Sequence, residues 1–202
     1  MTRFPIRLLL LLSLALSLLG LSLLAPPAIA APYFVQCYDF GCKTTRELRF
    51  NQHQWDEIKA LFASGIVDSV TEKQAIRRAV AMMERMSGEQ TDTHLDKGGN
   101  YPGSDIPGQM DCIDESTNTF QYLSALEQLE LLKWHRVDTK QRRIVWFATH
   151  WTASIREISN NQLFAVDSWY RDNGEMPYIQ PLADWSQKRE FPSSFNPELA
   201  TN

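Results

Sequence analysis

The sequence predicts an α+β fold, with helices in its first half and an antiparallel sheet in its second. Residues 51–133 place apolar side chains at helical spacing in three stretches, and Gly- or Ser-containing breaks separate those stretches. Residues 144–182 instead alternate between apolar and polar side chains and contain hairpin-turn signals. Helices grouped before strands are typical of α+β domains, whereas α/β domains alternate the two.

The N-terminal segment is typical of an export signal. Arg3 and Arg7 precede an apolar run, Leu8–Leu24, which Pro26-Pro27 ends. Ala28-Ile29-Ala30 then supplies the small residues that a signal peptidase recognises. We therefore expect a signal peptide over residues 1–30, cleaved after Ala30, and a periplasmic or secreted protein. Because the apolar run is nearly long enough to span a bilayer, an uncleaved anchor is the alternative.

The rest of the chain is expected to form one domain, residues 31–190, followed by a polar, flexible tail, residues 191–202. Loss of the two N-terminal arginines lowers the formal net charge from −4 to −6. No basic stripe is present, which argues against nucleic acid as a partner. No second stretch is apolar enough to cross a membrane, so any membrane contact is expected only through an uncleaved N-terminal segment.

The mature chain is expected to begin with two short strands within residues 33–50, joined by a turn between Cys37 and Cys42. A disulfide between these cysteines would close a short ring in an oxidising compartment. That pairing leaves Cys112 as a free thiol. A bond from Cys112 to one of the other two cysteines is the alternative, and it would abolish catalysis.

Three helices follow, over residues 51–63, 71–87 and 111–133. Asn51 is the expected cap of the first, and Thr71 with Gln74 forms a capping-box pattern at the second. His135, beyond the third, is expected at the surface. The stretch between the second and third helices lacks periodicity, and loops of such length tend to be functional or disordered.

Strands are predicted over residues 144–158, 163–170 and 178–182. The sequence Ser159-Asn160-Asn161-Gln162 indicates a hairpin between the first two, and Asn173-Gly174 indicates a turn before the third. These segments form the antiparallel sheet of the predicted fold.

Cys112, His150 and Asp167 are the candidate catalytic residues. The thiol lies where a helix begins, and the unpaired N–H groups and dipole of a helix N-terminus favour a thiolate. The histidine and aspartate follow on two successive predicted strands, in the order needed for a base and the carboxylate that orients it. The Cys112 N–H and the Gln109 side chain are the candidate donors for an oxyanion.

Two features count against this site. Three acids flank the thiol and oppose its ionisation: Asp111, Asp114 and Glu115. In addition, a two-residue hairpin turn would pair Asp167 with Ser154, about four residues or roughly 13 Å along the strand from the histidine. A wider connection or a bulge would be needed to bring the base and the carboxylate together.

Each candidate also has an ordinary structural interpretation: Cys112 as a small buried hydrophobe, His150 as a polar strand residue, Asp167 as a turn cap and Gln109 as a solvated side chain. Trp151 and Trp169 are candidate substrate-binding residues in an aromatic groove, and core packing is their alternative role.

No metal or other cofactor is predicted. The possible ligands are scattered over a loop and match no recognised metal-ligand spacing: His94, Asp96, Asp105 and Asp111.

The segment Asp111-Cys112-Ile113-Asp114-Glu115-Ser116, with a Leu-rich helix ending in Leu132-Lys133-Trp134-His135-Arg136-Val137, resembles the nucleophile helix of bacterial transglutaminase-like cysteine peptidases. His150-Trp151-Thr152-Ala153 and Phe164-Ala165-Val166-Asp167-Ser168-Trp169 match the positions of the base and orienter in that group, and Asp-Ser-Trp is similar to the Asn-Ser-Trp of papain relatives. The resemblance covers about residues 108–185. It implies a papain/transglutaminase-like fold, with a nucleophile-bearing helix packed on an antiparallel sheet.

The leading hypothesis is an exported cysteine hydrolase or acyl-transferase that acts on amide or isopeptide bonds in protein or cell-wall peptide. It would use a Cys-His-Asp triad and a thioester intermediate, and the sequence leaves hydrolysis and transfer both open. The alternative is a catalytically inactive envelope protein that uses the same scaffold to bind a partner, because fold does not imply function.

Overall fold

The computed structural model describes residues 31–100, 106–145 and 148–188, and its fold is α+β with two antiparallel sheets. The predicted signal peptide and tail lie outside the described residues. In chain order the elements are β1 (Tyr33–Tyr38), β2 (Thr44–Arg49), α1 (Gln52–Ala60), α2 (Ser69–Gly88), a 3₁₀ turn (Asp92–Leu95), α3 (Cys112–Gln128), β3 (His135–Val145), β4 (Ala148–Glu157), β5 (Leu163–Asp167), β6 (Tyr178–Pro181) and α4 (Leu182–Ser186). None of the helices in these ranges combines the length and the apolar character that a membrane span requires.

The β1–β2 hairpin is closed by a disulfide between Cys37 and Cys42, as predicted. Two carboxamides of α3 fasten this hairpin to the helix. Asn118 bonds both the N–H and the C=O of Cys37, and Gln121 does the same for Val35, each at 2.8 Å. The two side chains therefore form hydrogen bonds with the backbone N–H and C=O groups at the edge of β1, as a neighbouring strand would. They also hold the disulfide turn beside α3.

The N-terminus of α1 follows the prediction, whereas that of α2 differs. The Asn51 side chain accepts the N–H of Gln54 and caps α1. Helix α2 begins at Ser69, before the predicted start, because Asp68 is its cap and accepts the N–H of Thr71. Glu72 therefore lies four residues after the cap, inside α2, and its carboxylate makes its contacts outside the helix.

Glu72 anchors the segment that leads from α3 into the larger sheet. Its fully buried carboxylate accepts the N–H groups of Lys133 at 2.6 Å, Trp134 at 3.0 Å and His135 at 2.9 Å, and it lies 2.9 Å from Nδ1 of His135. The expectation that His135 is a surface residue is wrong, because the ring is buried against this acid. Helix α3 accordingly ends at Gln128, five residues before the predicted end, and the chain turns to meet Glu72.

The larger sheet is an antiparallel meander in the order β3-β4-β5-β6. The sequence did not predict β3 as a separate strand. This strand lies at the edge of the sheet and carries many charged side chains, which is how natural sheets protect their edges and which masks the apolar alternation of a strand. The predicted strand over residues 144–158 is in fact the end of β3 and all of β4.

The hydrophobic core lies between α2, α3 and one face of the larger sheet, and the hairpin closes its end. Phe34 on β1 contacts the rings of Phe50, Trp55 and Tyr122, with ring centroids 4.9, 5.8 and 5.4 Å away. Further buried members are Ile58, Ile76, Val80, Met83, Leu123, Leu126, Ile155, Val166 and Ile179. This packing fixes α3 against β4, which places the start of the helix at the end of the sheet.

We expect Glu72→Ala to lower the free energy of unfolding by about 3–5 kcal/mol, because it leaves a set of buried donors without an acceptor. Urea denaturation measures the effect. The control is Glu47→Ala, which removes an exposed ion pair with Arg49 and should cost less than about 1 kcal/mol. Equal losses in the two variants would contradict the anchoring role of Glu72.

Candidate active site

The register of β4 and β5 brings His150 close to Asp167. The strands pair Ala153 with Val166, so the next residue, Asp167, continues opposite Thr152. The predicted turn, which placed the aspartate opposite Ser154, is wrong: five residues connect the two strands. The offset from the histidine falls from four residues to two, or about 7 Å along the strand, and side chains span that distance.

His150 and Asp167 form a buried pair. Nε2 of the imidazole lies 2.8 Å from Oδ2 of the carboxylate, and the two residues are 6% and 1% exposed. The indole N–H of Trp185, a buried residue of α4, donates to the same Oδ2 at 2.7 Å. Trp185 thus holds the carboxylate in place. Its Nε1–H is a donor that needs a partner when it is buried, which is the one signal in the sequence that pointed to such a contact.

Aromatic rings enclose the imidazole of His150. The ring centroids of Trp169, Tyr170 and Trp185 lie 4.8, 5.3 and 5.6 Å from it. Trp169, a predicted substrate-binding residue, is 7% exposed, and its indole N–H donates to the C=O of Asn100. Trp169 therefore packs against the imidazole, and its hydrogen bond to Asn100 holds it to the loop before α3.

Cys112 is the first residue of α3, and it is a free, half-buried thiol. A disulfide from Cys112 is ruled out in this structure because Cys37 and Cys42 pair with each other. Its sulfur lies 3.7 Å from the C=O of Thr149, next to His150 on β4. The cap residue Asp111 accepts the N–H groups of the two residues that follow Cys112.

The imidazole of His150 is held in its charged form. Burial opposes the charge, but hydrogen bonds to Asp167 and to Cys112 outweigh burial and raise the pKa of His150 to about 9. Because Nε2 faces the aspartate, Nδ1 is the nitrogen left for the thiol. The imidazole therefore carries its positive charge at neutral pH.

The three acids near the thiol are less of an obstacle than the sequence indicated. Burial raises the pKa of Asp114 to about 6, although its carboxylate accepts the N–H groups of Cys42 and Asp111. Burial, together with repulsion from Glu84, raises the pKa of Glu115 well above its usual value. The buried acids therefore carry less negative charge toward the thiol than their number suggests.

The disulfide turn positions the segment that precedes Cys112. Residues 39–42 all have positive φ, and the N–H groups of Phe40 and Cys42 in this turn bond the Asp114 carboxylate. Asp39 also donates its N–H to the C=O of Gln109 at 2.9 Å and accepts the N–H of Gly108 at 3.0 Å. These contacts fix both sides of the nucleophile from outside the helix.

Gln109, the predicted oxyanion donor, is 1% exposed. Its Nε2 donates to the C=O of Leu95 at 2.7 Å, and its Oε1 accepts the N–H of Lys97 and the side chain of Asn100. The carboxamide is thus anchored in the loop before α3. Its role toward an oxyanion stays a prediction and depends on the second hydrogen of the amide.

Trp151, the other predicted substrate-binding residue, is partly exposed and follows His150 on β4. Lys140 and Arg142, from the neighbouring strand β3, lie over its ring at 5.9 and 5.8 Å from the centroid. Two cations of β3 thus lie over the partly exposed indole of Trp151.

The expected absence of a metal site stays a prediction. Of the four scattered ligand candidates, Asp96 is buried and accepts the N–H of Met110, and Asp105 lies outside the described residues. Among the residues that are described, one set of possible ligands lies within 4.8 Å: Cys37, Cys42 and Asp114. Two of these are joined in the disulfide and offer no thiolate.

Two buried acids, Glu84 on α2 and Glu115 on α3, lie close enough to influence each other. Oε2 of Glu84 accepts the N–H of Gly174 at 3.0 Å, while Oε1 has no partner among the described residues. Oε2 of Glu115 is likewise buried without a described partner. Burial raises the pKa of Glu84 to about 8, against the opposing effect of a hydrogen bond to Ser168. The fold therefore favours the protonated form of Glu84.

We expect Asp167→Asn to lower the pKa of His150 from about 9 toward 6.5, because the variant removes the anion that stabilises the imidazolium. The NMR shift of the ring Hε1 against pH measures this. The pair contributes stability that is complete below pH 6.5 and is lost as the pH rises through about 9. Asp172→Asn, at an exposed ion pair with Lys97, is the control. An unchanged titration of His150 in Asp167→Asn would rule out the pairing.

We expect Glu84→Gln to flatten the dependence of stability on pH. A raised carboxyl pKa makes folding less favourable as the pH rises from 4.5 to about 8, at about 1.4 kcal/mol per pH unit for one proton. The neutral amide removes that slope. Urea denaturation between pH 5 and 8 measures it, with Glu89→Gln, an exposed acid after the same helix, as the control. Identical slopes in wild type and Glu84→Gln would contradict a protonated Glu84.

Comparisons of the chain with protein-family models, with curated proteins and with solved structures gave no match. The site is therefore defined by its own geometry. It combines a free thiol at the N-terminus of α3, an imidazole from β4 and a carboxylate from β5.

Proposed function

We propose that this protein is an exported cysteine hydrolase or acyl-transferase that acts on amide or isopeptide bonds. One observation carries the proposal: Nε2 of the His150 imidazole lies 2.8 Å from Asp167, and the Cys112 sulfur lies 3.7 Å from the C=O of Thr149, the residue before that histidine. The Cys112 thiol is also one of the groups that raise the pKa of His150. This is the arrangement of a nucleophile, its base and the group that orients the base. The aromatic enclosure supports it, because such rings exclude water from the imidazole.

In the reaction, the thiol proton is on His150 and the Cys112 thiolate attacks the carbonyl carbon of an amide. The C–N bond breaks, the imidazolium gives its proton to the departing amine, and an acyl thioester forms on the sulfur. Water or a second amine then attacks the thioester, and His150 takes a proton from that nucleophile. The C–S bond breaks, the acyl product leaves, and the thiolate–imidazolium pair is restored.

The negative oxygen of each tetrahedral intermediate needs hydrogen-bond donors. The Cys112 N–H is well placed because it lies in the first turn of α3, where backbone N–H groups have no partner within the helix. The Asp111 side chain caps the next two N–H groups and leaves that of Cys112 out. We propose the second amide hydrogen of Gln109 as the other donor.

The proposal includes a papain/transglutaminase-like architecture. Helix α3 carries the thiol and packs on β4 of an antiparallel sheet, in agreement with the resemblance in sequence. It also includes export to the periplasm or beyond, through the signal peptide over residues 1–30. The Cys37–Cys42 disulfide supports that location, because such bonds persist in oxidising compartments. Protein or cell-wall peptide is the proposed substrate.

We expect Cys112 to react with iodoacetamide at pH 6–7 faster than N-acetylcysteine does, and His150→Ala to slow that reaction by roughly 10- to 100-fold. Mass spectrometry of the alkylated protein measures the rate at Cys112 and verifies the intact disulfide. His53→Ala, at an exposed helix residue, is the matched control and should leave the rate unchanged.

A rate equal to that of the free thiol, unaffected by His150→Ala, would exclude an activated nucleophile. It would favour the alternative of an inactive envelope protein that binds a partner through the same surface.

A further inference from the structure

Lys140, Arg142 and Trp151 form a cluster near the first turns of α3, which we call the basic clamp. Both cations of β3 lie over the same indole, so their side chains share one face of the strand although the β3–β4 register shifts between Asp138 and Gln141. Arg142 pairs with Trp151 across the β3–β4 register. The Lys140 ammonium and the Arg142 guanidinium both lie within 6 Å of the centre of the indole ring.

No acid among the described residues neutralises the basic clamp. Two other cations that contact this sheet are paired with acids: Arg156 of β4 lies 2.8 Å from Asp138, and Lys73 of α2 lies 3.6 Å from Glu157. Lys140 instead donates to the hydroxyl of Thr117 at 2.8 Å, and burial without any opposing acid lowers its pKa. The clamp is therefore an unneutralised positive site on a chain whose net charge is −4.

The basic clamp lies beside the nucleophile. Trp151 lies two residues after Thr149 on the same face of β4, and the Thr149 C=O is 3.7 Å from the Cys112 sulfur. Thr117, which receives Lys140, donates its own hydroxyl to the C=O of Ile113 at 2.7 Å. Ile113 is the residue after Cys112 in the first turn of α3. A molecule bound by the clamp would therefore extend along the start of α3, next to the sulfur.

The acids near the thiol do not cancel this positive site. The Asp111 carboxylate accepts two backbone N–H groups of α3, at 2.9 and 3.0 Å, and the Asp114 carboxylate is enclosed by the disulfide turn. Both carboxylates are thus held by backbone N–H groups, at the helix terminus and in the disulfide turn. An anion that approaches Trp151 thus meets the two cations of β3.

We infer that the substrate is an acidic peptide, with a carboxylate near the scissile amide that the basic clamp binds. The inference rests on the proposed function for the reaction at Cys112. A guanidinium and an ammonium together supply the charge-assisted hydrogen bonds that a carboxylate accepts best, and the indole face packs against the carbon atoms beside that carboxylate.

Iodoacetate and iodoacetamide test the inference. Iodoacetate transfers a carboxymethyl group to sulfur and iodoacetamide a carbamoylmethyl group, each with loss of iodide, and the two reagents are similar in size but differ in charge. The ratio of their rates at Cys112, relative to the ratio for N-acetylcysteine, measures the attraction of an anion to the site. We expect Lys140→Gln/Arg142→Gln to lower this ratio by roughly three- to tenfold, as two partly exposed cations would. The rate with iodoacetamide should change less than about twofold.

The matched control is Lys133→Gln/Arg136→Gln, which removes the same charge from two exposed side chains toward the other end of β3. It should leave the ratio unchanged. The single variant Arg142→Gln alters an exposed side chain, so it tests the inference even where the double variant does not fold. We expect it to lower the ratio by about twofold or more.

A ratio equal in wild type and Arg142→Gln would overturn the inference, as would an equal fall in the control variant. Failure of the proposed function is a separate outcome. In that case iodoacetamide reacts at the rate of a free thiol in both wild type and His150→Ala, and the iodoacetate ratio still decides whether the clamp attracts an anion.

Discussion

The carboxylate of Asp167 is the interaction on which the rest of the site depends. Its Oδ2 forms hydrogen bonds with the His150 imidazole on β4 and with the indole N–H of Trp185 on α4. Arg143 secures this arrangement: it lies over the indole at 4.5 Å, donates to the Trp185 C=O, and bonds the Tyr170 hydroxyl at 2.6 Å. With Nε2 fixed in this way, Nδ1 is the imidazole nitrogen that remains for the proposed contact with the thiol.

The thiol is positioned by a different set of contacts, which come from the N-terminal hairpin. Asn118 and Gln121 hold the hairpin to α3, and the disulfide turn at its tip encloses Asp114, two residues after the nucleophile. The sheet therefore orients His150 while the hairpin orients the N-terminus of α3 and Cys112. Because α3 packs against both, the residues of the proposed triad come together at its first turn.

Charge is distributed unevenly around the first turn of α3. Burial keeps Glu84 on α2 and Glu115 on α3 toward their neutral forms, so an acid-rich sequence does not create a strongly negative interior. The His150 imidazolium and the basic clamp are positive. This contrast supports the proposed reaction at Cys112 and the proposed acidic substrate.

The sequence by itself determined the local features: the Asn51 cap, the cysteine-closed hairpin, the α+β order, and the order in which thiol, imidazole and carboxylate follow one another. Only the tertiary structure decided the β4–β5 register, the charged edge strand β3, the early end of α3 at Glu72, and the role of Trp185. The reason is physical. Periodicity and caps arise from neighbours within one turn or hairpin, whereas a buried carboxylate or indole N–H finds its partner wherever the folded chain brings one within hydrogen-bond distance.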